Sequence, residues 1–139
     1  MNQIEDCISF LLGKAGQKIT RRAKDKLSCH GVTPVQYAIL KLLWEADGQT
    51  GAELSARLVI DSATMTGLID RMQVSGLLER RTDDGDRRIQ LLFLTKQGKA
   101  LQKPLDAAMD ELNNEVALEL GKQAKCFWLN LRKIGDVRR

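Results

Sequence analysis

The run "GLLERRTDDGDRRIQLLFLT", residues 76 to 95, most restricts what this chain can become. Everything around it repeats its apolar residues at helical spacing, whereas here two short apolar runs flank a polar turn. Gly76 ends a helix, "LLERR" reads as a strand, and "TDDGD" supplies the aspartates and glycine that tight turns use. "RRIQLLFLT" returns as a second strand with Ile89, Leu91 and Phe93 on one face. A helical chain carrying one hairpin has few architectures open to it. The turn also raises a question, because two arginines, Arg87 and Arg88, stand at its far end.

The helical remainder is clearly punctuated. A first helix is expected over roughly residues 3 to 28, where Ile4, Ile8, Leu11, Leu12, Ala15, Ile19, Ala23 and Leu27 form one stripe. It ends near Gly31, a residue suited to a left-handed cap. Thr33-Pro34-Val35-Gln36 opens a second helix through a capping box with proline at the first helical position. That helix carries Tyr37, Leu40, Leu43 and Trp44. Thr50-Gly51-Ala52-Glu53 repeats the box for a short helix ending near Leu58, and Asp61 or Ser62 caps the next.

This fourth helix, about 62 to 75, buries Met65, Leu68, Ile69 and Met72 at i, i+3, i+4 and i+7 spacing. Its other side bears Ser62, Ala63, Thr64, Thr66, Gly67, Asp70, Arg71 and Val74. Short residues let a backbone approach a major groove, and hydroxyls can meet phosphates or base edges. A helix N-terminus also attracts phosphate. A short helix, a turn and a second helix match a helix-turn-helix, and the hairpin behind them makes it winged. The two arginines then have a purpose. A wing beside a recognition helix reaches the minor groove, whose negative potential attracts arginine. Asp86 is expected to pair with Arg88, while Asp83 and Asp84 make the turn. The fold class is therefore mainly α with a small β-wing: a winged helix-turn-helix plus N- and C-terminal dimerisation helices.

At these residues the chain resembles the MarR family of bacterial transcriptional regulators. The Ser62/Thr64/Thr66 helix start, "GLLERR", the Asp86-Arg87-Arg88 element, "LTKQG" at 94 to 98 and "VTPVQYAILKLLWE" carry the likeness. The resemblance implies a homodimer that binds pseudopalindromic double-stranded DNA, usually as a repressor. It implies major-groove contacts at Ser62, Thr64, Thr66 and Arg71. The minor-groove contact falls on Arg88, with Arg87 as helper and Asp86 as its support. One unit, 1–139, would divide into dimerisation helices at 1–30 and 100–139 and a DNA-binding lobe at 33–98.

Dimerisation can also be argued from the residues. The first stripe, with Leu101, Leu105, Leu112, Val116, Leu120, Phe127, Trp128, Leu131 and Ile134, exceeds what a small winged helix can cover. Pro104 is expected to kink the long helix that begins near Lys96, and Gly121 to break it. The net charge of +4 is too mild to argue for nucleic acid by itself, but it is unevenly placed. Residues 14 to 26 are basic and residues 100 to 121 acidic.

Composition narrows the function classes. One histidine, no CxxC pair, no Ser/His/Asp arrangement and no phosphate-cradling glycine loop argue against an enzyme, a zinc site or a cofactor. Three separated cysteines suit a reducing cytoplasm. Glu5 and Asp6 stand where a secretory signal would be basic, and no run is long enough to span a membrane. A helical adaptor for protein partners would explain the stripes but not the wing arginines.

Two sensing modes remain open within the resemblance. Peroxide-sensing relatives place a cysteine near the start of the first helix, supported by tyrosines; here Ser9 takes the aligned place, Cys7 lies two residues earlier, and the tyrosine positions hold Gly13 and Ala23. Others bind small aromatic acids between the dimer helices and the winged helix. An aromatic or carboxylate effector is the favoured reading, with Lys14, Arg22, His30 and Tyr37 as candidate contacts.

Overall fold

The computed structural model describes residues 2–138. A 3-10 turn, Ile4–Asp6, leads into α1 (Ile8–Leu27). The continuous first helix expected from residue 3 is thus broken at Cys7, whose backbone is extended. The turn closes on itself: Gln3 N–H donates to the Asp6 carboxylate and Cys7 N–H to the Ile4 carbonyl. Gly31, at φ 68°, ends the turn after α1 in the left-handed region, where a Cβ is costly. α2 (Pro34–Glu45) and α3 (Gly51–Leu58) begin with the expected boxes. Gln36 N–H donates to Thr33 Oγ1 and Thr33 N–H to Gln36 Oε1, and Thr50 and Glu53 repeat the exchange. Asp61 caps α4 (Ser62–Val74), accepting from Thr64 N–H at 2.8 Å.

β1 (Gln49–Thr50), β2 (Leu78–Thr82) and β3 (Gln90–Leu94) form an antiparallel sheet in the order β1-β3-β2. The hairpin is where expected, but its second strand is shorter. Asp83 N–H donates to the Ile89 carbonyl and Ile89 N–H to Asp86, so Arg87 and Arg88 occupy a turn rather than strand. The inward residues of the hairpin are Leu78, Leu92 and Leu94, while Ile89, Leu91 and Phe93 share the outer face. β1 was not foreseen: two residues carry no periodicity. Tertiary bonds hold it there, from Gly48 N–H to the Leu92 carbonyl and from Leu94 N–H to Asp47 Oδ1.

The chain leaves the sheet through α5 (Lys96–Ala100) and enters α6 (Gln102–Leu120). The expected kink lies at Leu101. Pro104 has no N–H to give, and its ring would strike the Ala100 carbonyl if one helix ran through. Gly121, at φ 58°, then ends α6, and α7 (Ala124–Ile134) follows a single 3-10 turn.

The core is continuous across these elements. Leu27 of α1, Ile39, Leu40 and Leu43 of α2, Leu54 of α3, Met65 and Met72 of α4, Leu78 of β2 and Leu105 of α6 are fully buried. Full burial of such a side chain contributes about 1.5–3 kcal/mol. Gly98 fixes how closely α5 sits against Leu77 at the head of β2, because a Cβ there would lie 2.1 Å from the Leu77 carbonyl oxygen. Thr95 donates to the Gly76 carbonyl and caps Gly98 N–H, while Trp44 Nε1 donates to the Gly98 carbonyl. The "LT..G" spacing is thereby a packing requirement. α1 and α6 are stitched by charge, Arg22 pairing with Glu115 and Glu119 and Lys26 with Glu111 and Glu115.

Candidate nucleic-acid interface

α4 buries Met65, Leu68, Ile69 and Met72, the four residues its periodicity selects, and this orients the opposite side outward. Ser62, Thr64, Thr66 and Arg71 are all exposed there. Two of the three hydroxyl protons are already used. Thr64 donates to Asp61 Oδ2 at 2.7 Å, and Thr66 donates to the Ser62 carbonyl at 2.8 Å. Both oxygens therefore face outward chiefly as acceptors, and Ser62 keeps a hydroxyl free to rotate. The N–H and O–H of Thr64 hold the Asp61 carboxyl below the usual carboxylate range, so the cap stays ionised at neutral pH. The Arg71 guanidinium lies back along the helix, and a Cβ at Gly67 would stand 3.5 Å from its Nη1.

The hairpin tip carries the second set. Arg88 donates from Nε to Asp86 Oδ1 at 3.1 Å and from Nη2 to Oδ2 at 3.0 Å, and its backbone N–H also reaches Oδ1. The expected pair is thus present as a two-pronged contact, the form in which a planar guanidinium is best oriented. It holds the Asp86 carboxyl down and raises Arg88 further. The Arg88 side chain is nevertheless 90% exposed. Arg87 and Arg71 enter no ion pair among the described residues.

Reasoning on the sequence missed two functions inside "LLERR". Arg80 reaches from β2 to Asp70 and Gln73 on α4, and Arg81 pairs with Glu79 while lying 4.4 Å above the Phe93 ring centre. Alternation along a strand would have sent the two arginines to opposite faces. Which partners awaited them depends on the fold.

The four candidate effector contacts are not brought together as a free anion site. Tyr37 donates its hydroxyl to Asp106 Oδ1 at 2.9 Å, and Lys41 meets both Asp106 oxygens at 2.8 Å. Burial first, and then Asp106, push the Tyr37 hydroxyl well above the usual tyrosine range. Arg22 is committed to Glu115 and Glu119, so its charge is answered within the chain. Lys14 lies on the far side of α1, where it lines a shallow surface depression with Lys18 and Arg21. His30 is exposed in the turn after α1. Lys41 and Asp106 are the residues the sequence reading omitted, because their pairing joins positions 65 residues apart.

Comparison with known proteins agrees with this geometry. The MarR family model matches residues 32–90. The HTH-type transcriptional regulator TtmR of Methylorubrum extorquens is 33% identical over 103 residues, 74% of this chain; the chain spans about half of TtmR's length, 53%. The organic hydroperoxide resistance transcriptional regulator of Bacillus subtilis is 33% identical over 101 residues, covering 73% of this chain and 69% of that protein. Among solved structures, BpsR of Bordetella bronchiseptica, whose DNA binding is regulated by 6-hydroxynicotinic acid, superposes with a TM-score of 0.89 over 99% of each chain at 23% identity. That last likeness is one of fold. Identity to the Bacillus subtilis regulator extends well beyond the reading helix and wing, and with it the chain belongs to the MarR family of winged helix-turn-helix, DNA-binding transcriptional regulators.

Proposed function

We propose that this regulator acts as a homodimer on a pseudopalindromic operator and that it is a repressor released by a small aromatic or carboxylate effector. Residues 33–98 would form the reading lobe and residues 1–30 and 100–139 would join the two copies, Met1 and Arg139 lying outside the described residues. In each copy α4 enters a major groove, where the Thr64 and Thr66 oxygens accept from base amino groups, Ser62 serves a base edge or phosphate, and Arg71 meets phosphate or guanine. Arg88 enters the flanking minor groove with Arg87 beside it. The observation that carries this reading is Arg88 itself. Its guanidinium is held in direction by both Asp86 oxygens and yet remains exposed, an arrangement suited to a ligand outside the chain. The cytoplasm, where its DNA target lies, is the proposed location.

The dimer is supported by what α1, α6 and α7 leave uncovered. Ile8, Leu11 and Leu12 are exposed at the start of α1, as are Leu129, Leu131 and Ile134 on α7. Two copies joined there would set their reading helices about one helical turn, ~34 Å, apart. Selection of bound duplexes from a random pool tests both ideas, because two inverted half-sites at that spacing are expected. Arg88→Ala should then weaken binding to the recovered duplex with the fold intact. Equal affinity in that variant would remove the wing from the mechanism, and absence of any duplex binding would favour the adaptor reading.

Tyr37 and Lys41 support the effector class, since both already hold a carboxylate, that of Asp106. An arriving carboxylate of aromatic type would compete with Asp106 for them and so loosen α2 from α6, favouring one dimer state. BpsR's regulation by an aromatic acid agrees with this choice. The name of the Bacillus subtilis relative keeps thiol sensing as the alternative. Release from the operator by hydroperoxide but by no aromatic carboxylate would decide for that alternative.

A further inference from the structure

Asp70 poses a problem for a DNA-reading helix. It sits on α4, 58% exposed, and a bare carboxylate there would repel phosphates. Arg80 of β2 answers it. The Arg80 side chain is three-quarters buried, and its guanidinium donates through Nη2 to Asp70 Oδ1 and through Nη1 to Gln73 Oε1. One fork therefore grips two acceptors three residues apart, neighbours on the helix surface. The other end of the connection is equally definite. Arg80 stands opposite Leu92 in the sheet, and the β2–β3 ladder runs from there to the turn that carries Arg88.

We propose that Arg80 is a positioning residue for DNA binding: it fixes the wing's angle to the recognition helix and neutralises Asp70, without itself touching DNA. The inference rests on the DNA-binding reading above and deepens it. It explains why, in a run of basic residues beside the reading head, Arg80 points into the protein while Arg87 and Arg88 point out. A lysine could not do the same work, because an ammonium lacks the planar fork that spans two acceptors.

The test uses the full-length protein and the duplex recovered by selection, with affinity measured across a salt series. Arg80→Ala should lose tenfold or more in affinity, Arg80→Lys should not restore it, and the slope of log affinity against log salt should match wild type. A residue that neutralises a phosphate would instead lower that slope by about 0.9. Because Arg80 acts through the wing, Arg88→Ala should cost several-fold less in the Arg80→Ala background than in wild type. If the Arg80 variants fail to fold by circular dichroism, Asp70→Asn, which removes the anchoring carboxylate and its repulsion together, still tests the coupling: Arg88→Ala should again cost less than in wild type. A reduced salt slope, an unchanged cost of Arg88→Ala, or full rescue by lysine would overturn the proposal. Failure of the wild-type protein to bind any duplex would instead reject the DNA-binding reading on which it rests.

Discussion

Val59 sits at the C-cap of α3 with φ 54° and is 92% exposed. A β-branched residue in the left-handed region costs about 1–2 kcal/mol, because Cβ crowds the following carbonyl oxygen. Here no burial offsets that cost. Val59→Asn, which tolerates this conformation, is expected to raise stability by about 1 kcal/mol. The check is a denaturant midpoint that moves upward at constant slope; a lower midpoint would mean that the isopropyl group packs usefully after all. The neighbouring residues divide differently. Asp61 was legible as a cap because its role is local, whereas the proposed outward role of Thr64 was only half legible. The sequence displays a hydroxyl but not that Asp61 has already taken its proton.

At the scale of elements, the capping boxes at Thr33 and Thr50, the Gly31 turn and the break ahead of Pro104 could all be read before the fold, since each is decided within a few residues. Strand limits could not. Whether Arg87 and Arg88 lie in strand or turn depends on the hydrogen bonds that Ile89 makes across the hairpin. The α1–α6 seam was equally hidden: the chain shows a basic and an acidic helix, but not that Arg22 and Lys26 face Glu115. Those two cations, Lys26 first, hold the Glu115 carboxyl below the usual range. Its folded pKa is lower than its unfolded one, so the seam contributes stability that is complete above about pH 4.3, the ordinary glutamate value, and is lost as pH falls through the lowered folded value. Glu115→Gln should accordingly melt lower at pH 7 and show a shallower loss of melting temperature between pH 5 and 3. An unchanged acid limb would remove this seam from the acid response.

At the scale of the whole molecule, apolar side chains lie exposed towards both ends of the chain. Leu11 is 46% exposed near the start of α1, and α7 contains no buried residue among those described. If the ends are the dimer seam, Leu11→Glu should shift the molar mass measured by light scattering from two copies to one. Operator affinity should fall at least tenfold, since two linked reading heads bind far more tightly than one. A dimer of unchanged mass would move the seam elsewhere. No helix of the described residues is long and apolar enough to cross a membrane.

The terminal helix has one more consequence. Eleven residues are fewer than the ~12–15 that a lone helix needs to persist in water. Within one copy α7 has only a partial seat, with Trp128 half-buried, so a copy without the proposed partner would open there first, and frayed ends are where proteases begin. If the proposed dimer is the working form, scarcity would then trim away solitary chains, leaving a cell to hold either pairs or very little of the protein at all.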